Sequence, residues 1–230
     1  MGVKAMTARE TLFATIRQSL GVTGNEPARR AAVEARIANH PRGVIPARGQ
    51  LPPQERVKLF AEMVEAAAGT VALLPHAASV PAAVSAFLRS QNLPMKVRRG
   101  DDPRLAALAW GEQRTLEVTT GASDGHQLAS VSHAFGAVAE TGTLVLASGR
   151  DNPTTLNFLP DTHIVVVAAQ DIAGDYETVW ERVREKFGVA ALPRAINMIT
   201  GPSRSADIGQ ILILGAHGPR RLHVLVVGEA

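Results

Sequence analysis

Apolar residues recur along this chain in two rhythms, one helical and one strand-like. Leu12, Phe13, Ile16 and Leu20 fall three to four apart, the spacing of a single helix face. They follow Thr7-Ala-Arg-Glu10, a Thr-x-x-Glu sequence in which side chains and backbone cap one another reciprocally, and Gly21 ends the predicted helix. Residues 21–53 are rich in Gly, Pro, Arg and Asn and show no sustained periodicity beyond a short helical stretch at 29–38, which predicts an arm or linker. From Leu51 the pattern becomes regular. Pro52 and Pro53 open a helix with Val57, Phe60, Val64 and Ala67 on one face, Gly69 closes it, and Thr70–Leu74 reads as a short buried strand. Helices at 81–89 and 103–110 then alternate with strands at 95–97 and 115–118.

Such alternation predicts an α/β fold, with a largely parallel sheet covered by helices on both faces. The middle of the chain breaks the rhythm. Segments 129–135 and 136–148 are rich in small and β-branched residues and read as two strands joined directly, which predicts a mixed sheet in a three-layer arrangement. An apolar strand at 164–168 follows, and Asp175 caps a helix through Phe187 with Tyr176, Val179 and Val183 facing inward. Apolar runs at 195–200, 211–214 and 222–227 complete the pattern. Residues 1–50 are thus expected to form an N-terminal helix and variable arm, and 51–230 the α/β domain.

Composition narrows the functional classes. Apolar residues make up 46% of the 230, enough for a sizeable core, while aromatics are only 4%, so that core must rest on Ala, Val, Leu and Ile. No run of about 18 apolar residues appears, which argues against a membrane span, and residues 1–20 lack the apolar stretch of a signal peptide. A cytoplasmic protein is expected. The absence of cysteine excludes disulfides, a thiolate nucleophile and a Cys-ligated zinc or iron–sulfur centre in this chain. A net charge of +3, carried without any basic stripe interleaved with aromatics, does not point to nucleic acid. The histidines show no H-E-x-x-H spacing, so no metal site is expected. The nucleophile elbow, the P-loop and the Gly-x-Gly-x-x-Gly fingerprint are also missing.

Two constellations carry candidate chemistry. In Gly201-Pro-Ser-Arg-Ser-Ala-Asp207, Gly201 permits a sharp turn, and Ser203 and Ser205 with Arg204 can face an anion or carboxylate; a capped turn with a solvated arginine explains the same residues. His217, between Gly215 and Gly218, is the histidine best placed for close ligand approach. In Ala139-Glu-Thr-Gly-Thr-Leu-Val-Leu, Glu140 stands at a strand end beside Thr141, Gly142 and Thr143. A carboxylate there can serve as general base, nucleophile or hydrogen-bond acceptor, or simply as an edge glutamate in a hairpin turn. The loop Asn152-Pro-Thr-Thr-Leu-Asn-Phe-Leu-Pro160 offers neutral hydrogen-bonding groups for a pocket and reads equally well as structure.

Taken together, Ala139-Glu-Thr-Gly-Thr-Leu-Val-Leu, Leu159-Pro-Asp-Thr-His-Ile-Val-Val-Val167, Gly201-Pro-Ser-Arg-Ser-Ala-Asp and Leu214-Gly-Ala-His-Gly-Pro resemble the LUD-domain family, over roughly residues 51 to 227. The resemblance implies a fold similar to the NagB/RpiA/CoA-transferase-like group. It also implies a part in oxidising L-lactate to pyruvate, alongside two partner proteins that carry iron–sulfur clusters. No cofactor is expected in this chain itself. Gly209 departs from the family, which is often acidic at that position, and this weakens the transfer of an active site. The competing reading is a stand-alone enzyme or binding protein for a small anionic or CoA/folate-like metabolite, with Glu140 as its base or nucleophile. A homo-oligomer is a third.

Overall fold

The computed structural model describes residues 6–188, 191–205 and 213–228. They fall into two units, divided between Val44 and Ile45.

The first unit holds two helices, α1 (Ala8–Leu20) and α2 (Pro27–Asn39). The capping box forms as its sequence predicts: the Glu10 N–H donates to Thr7 Oγ1 at 3.3 Å, and Glu10 Oε2 accepts from the Thr7 N–H at 2.7 Å. Gly21 closes α1 in the left-handed conformation, at φ +64°. The helical stretch expected at 29–38 is longer, because Pro27 suits the first helical turn. Glu26 accepts backbone N–H groups of Thr23 and Gly24 at 2.6 and 3.1 Å, which lowers its pKa to about 2. Neither helix buries a residue.

The second unit is built on two large sheets and a small two-stranded one. Its elements begin with α3 (Pro53–Ala66), β1 (Thr70–Leu74), α4 (Val80–Ser90), β2 (Lys96–Arg99), α5 (Pro103–Ala106) and β3 (Glu117–Thr120). Next come β4 (Ala129–His133), β5 (Gly136–Val138), β6 (Thr143–Ala147), α6 (Thr155–Phe158), β7 (Thr162–Ala168) and β8 (Ile172–Ala173). The last are α7 (Tyr176–Phe187), β9 (Ile196–Thr200), β10 (Arg204–Ser205), β11 (Ile213–Leu214) and β12 (Arg221–Val227).

Six strands in the order β1-β12-β7-β4-β2-β3 make one wholly parallel sheet. Its central strands are covered on both faces, which is why Ile164–Val167 and Val224–Val226 read as unbroken apolar runs. The mixed pairing expected from the middle of the chain lies in a second sheet, β8-β5-β6-β9. There β5–β6 and β6–β9 are antiparallel and β5–β8 is parallel. Segment 136–148, expected as one strand, doubles back on itself: Gly142 takes φ +66° and turns the chain between β5 and β6. Ala134 and Phe135 carry the chain from β4 into that other sheet rather than to a neighbouring strand.

Three apolar clusters order the layers. Val84, Leu88 and Leu105, from α4 and α5, pack on Val131, Ile164 and Leu225 of the parallel sheet. On its other face, Val165 and Val224 meet Phe60 and Val64 of α3 together with Ala137, Leu144 and Leu146 of the second sheet. Val179 and Val183 of α7 then cover Val138 and Val145 on the far side of that second sheet. No helix among the described residues is long and apolar enough to cross a membrane.

Candidate functional site

Where the two sheets part, the amino ends of β7 and β12 face the carboxyl end of β9 across a pocket of about 240 Å³. Met198, Ile199 and Leu222 make apolar walls, and Ser203 with His217 stands among the loop residues that rim it. The turn at Gly201 holds this loop in place. Gly201 has φ +71°, and a Cβ there would lie 2.3 Å from the Ala67 carbonyl oxygen, so the turn is pressed against the end of α3.

The pocket's inner end is polar, neutral and buried. Ser130 Oγ donates to the Leu156 carbonyl at 2.6 Å, tying α6 to β4 and bringing Asn157 beside the strands. Ser132 Oγ donates to Asn157 Oδ1 at 3.3 Å and meets His163 Nε2 at 3.0 Å. Ser132, Asn157 and His163 are all buried. Burial with no opposing charge drives the His163 pKa down to about 3, so the ring is neutral. Two polar atoms of this cluster, His163 Nδ1 and Asn157 Nδ2, have no hydrogen-bond partner among the described residues. Unpaired buried groups of this kind are costly and uncommon in folded proteins.

Of the residues singled out in the sequence, Gly201, Ser203 and His217 line this pocket, as do Asn157 and Phe158 of the Asn152–Pro160 loop. Ser203 organises the rim: its N–H donates to the Pro219 carbonyl at 2.8 Å, its carbonyl accepts from the Gly215 N–H at 2.9 Å, and its Oγ accepts from the His217 N–H at 3.4 Å. Ser205 lies in β10, paired with Ile213. Arg204 turns to the helix instead, where Nη2 donates to the Ala67 carbonyl at 2.9 Å and serves the carboxyl end of α3. Because Arg204 is exposed, Arg204→Ala is expected to cost less than about 1 kcal/mol in urea denaturation.

The Glu140 turn lies outside the pocket's lining. Gly142 backs onto α3, where a Cβ would sit 2.6 Å from Met63 C and Val64 N. Thr143 reaches the pocket wall indirectly: its Oγ1 lies 2.7 Å from Thr200 Oγ1, 2.8 Å from Tyr176 Oη and 2.7 Å from Thr141 Oγ1. Glu140 is buried, and Oε2 has no partner among the described residues. Burial raises its pKa; Arg48 pulls it down less strongly, and Asp175 adds to the rise. Gly209 lies outside the described residues. No cluster of three or more metal-ligating side chains occurs among the described residues.

Ser132 and His163 were the residues hardest to find from sequence. Their signal is polar side chains on strands that are otherwise apolar: Ser130 and Ser132 alternate with Val131, and His163 precedes Ile164-Val-Val-Val167. Parallel pairing of β4 and β7 places Ser130 opposite His163 and Ser132 opposite Val165.

Comparison with known proteins agrees with this architecture. The LUD domain family model matches residues 57–227. The Lactate utilization protein C of Geobacillus thermodenitrificans is 34% identical over 146 residues, 56% of this chain and 61% of that protein. Its namesake in Bacillus subtilis is 37% identical over 94 residues, 40% of this chain and 39% of that one. Each match thus spans less than two thirds of the relative's own length. The crystal structure of a DUF162 family protein from Deinococcus radiodurans shares the fold, with a TM-score of 0.55 at 24% identity, covering 77% of this chain and 99% of that one.

Proposed function

From a chain that belongs to the LUD domain family, we propose a component of L-lactate utilization that acts in the oxidation of L-lactate to pyruvate with iron–sulfur partner proteins. The observation that carries this reading is the similarity to proteins named Lactate utilization protein C. The pocket between the sheets gives the reading a place, since its small size and buried neutral polar groups suit a small organic acid.

The chain's share of the work follows from its chemistry. With no cysteine it offers no thiolate to an iron–sulfur cluster, so electron transfer falls to partners and this subunit binds or presents the substrate. Arm helices α1 and α2 offer a contact surface for such a partner: Leu12, Leu20 and Ile37 are 59%, 64% and 65% exposed. Phe13 lies between the Arg9 and Arg17 guanidinium groups, at 5.2 and 5.8 Å from its ring centre. The reading as a stand-alone enzyme draws less support from the geometry, because Glu140 and Arg204 are not among the residues lining the pocket.

A clean deletion in the source organism tests the proposal. The expected strain fails to grow on L-lactate as sole carbon source, grows normally on pyruvate, and recovers with the gene supplied in trans. Normal growth on L-lactate would contradict it.

A further inference from the structure

We infer that β1 (Thr70–Leu74), the outer strand of the parallel sheet, is the contact surface for a second copy of this chain. The two edge strands pair antiparallel about a twofold axis at Ala72, which joins the parallel sheets of both protomers into one. This inference does not depend on the lactate reading.

One bond at the strand's end fixes which backbone groups face outward. The Gly228 N–H donates to the Leu74 carbonyl at 2.8 Å, and Leu74 is paired with Val227. In a parallel ladder a residue turns its N–H and C=O to the same side, and that side alternates along the strand. Thr70, Ala72 and Leu74 therefore bond to β12, while the N–H and C=O groups of Val71 and Leu73 point away from the sheet. Among the described residues these outward groups meet no partner. Sheet edges are ordinarily blunted by charge, proline or a bulge. The opposite edge, β3, follows that rule: its first residue, Glu117, pairs with Lys96 at 2.7 Å. By contrast β1 reads Thr-Val-Ala-Leu-Leu, without charge or proline, its pairing with β12 runs unbroken from Thr70 to Leu74, and Leu73 is 63% exposed.

The occupant follows because this strand is its own complement. With the axis at Ala72, Val71 lies opposite Leu73 of the partner subunit, outward groups meet outward groups, and every free N–H and C=O of both strands is paired. No neighbouring register does this. Moving the axis by half a residue sets outward groups against inward ones. Moving it to Val71 sets Leu73 against Gly69, whose N–H is already given to the Val64 carbonyl at 2.9 Å. Moving it to Leu73 sets Val71 against Pro75, which has no N–H. The favoured register also covers the apolar side chains. Val71 packs beside Phe60 and Val64 of α3, Leu73 is next along the same face, and each of the two lies against the other's copy.

Sedimentation equilibrium of the full chain, over about a hundredfold range of concentration, tests the assignment. The mass is expected to rise from 24.3 kDa towards twice that value, in a concentration-dependent way because contact through one short strand is small. Leu73→Lys sets a charge on an exposed edge position and is expected to weaken association at least about tenfold without changing the circular dichroism. Because the chain has no cysteine, single-cysteine variants report the register. At the axis Ala72 faces its own copy as a non-hydrogen-bonded pair, with Cα atoms about 4.5 Å apart and within disulfide reach. Ala72→Cys is expected to give a covalent dimer on mild oxidation. Thr70→Cys, on the same edge and more exposed, lies roughly 14 Å from its copy and is expected to give none. The mass of the unaltered chain decides the matter even if a variant fails to fold. A monomer at every concentration, a dimer indifferent to Leu73→Lys, or cross-linking of Thr70→Cys as readily as Ala72→Cys would each overturn the inference.

Discussion

Between pH 7 and pH 5 the folded protein is expected to lose about 3–4 kcal/mol of stability, read from urea denaturation at each pH, through two buried histidines. His163 and His223 titrate near 6.5 once the chain unfolds, but burial holds them at about 3 and about 4 in the folded state. Over that interval the unfolded chain binds more protons, so stability rises with pH. The contribution is complete above about pH 6.5 and drains away as the pH falls towards 4. Burial holds His223 neutral, its ring stacked on Phe87 at 4.0 Å, and hydrogen bonding to Thr70 pulls only weakly the other way. Burial also lowers the pKa of His133, which steepens the fall, whereas the raised pKa of Glu140 opposes it at the acid end. His223→Gln is expected to remove roughly half of the slope attributed to the pair. An unchanged slope would place the acid lability elsewhere.

Gly201→Ala is expected to destabilise the protein by about 3 kcal/mol, combining a strained backbone with an overpacked contact. At φ +71° an L side chain is already disfavoured, and the new methyl would meet the Ala67 carbonyl oxygen at 2.3 Å. That oxygen belongs to the end of α3, whose Phe60 and Val64 lie in the core between the sheets, so neither side yields cheaply. Gly125→Ala is the matched control: its φ of +91° carries the conformational cost, but nothing lies within 4 Å of the added carbon, so a loss of only about 1 kcal/mol is expected. The Gly201 variant should also bind ligand more weakly, because the same turn sets Pro202 and Ser203 at the pocket. A loss no larger than the control's would show that the turn moves freely.

Local signals in this sequence translate directly into structure. The Thr7–Glu10 capping box and the Asp175 cap of α7 depend on neighbouring residues alone, and each forms where its pattern lies; Thr70–Leu74 is a strand as expected, but as the sheet's edge, paired with β12, it buries none of its residues. A hairpin turn at Glu140 is one reading the sequence leaves open, but Glu140-Thr-Gly142 sits within a nearly unbroken run of small and β-branched residues that reads equally as one strand. The turn becomes necessary only when Gly142 meets the backbone of α3, more than seventy residues earlier in the chain. The 201–205 motif is legible as a turn, but the partner of Arg204 is a helix end that local reading cannot supply. Long-range pairing likewise creates the polar end of the pocket: Ser132, Asn157 and His163 come from three separate elements and acquire joint meaning only when β4, α6 and β7 assemble.

In the proposed function this pocket carries the protein's part in lactate utilization. Its most direct test is growth on L-lactate of the deletion strain complemented with either the unaltered gene or Asn157→Asp, at matched protein levels. Growth is expected with the unaltered gene and none with the variant; equal growth with both would contradict that role.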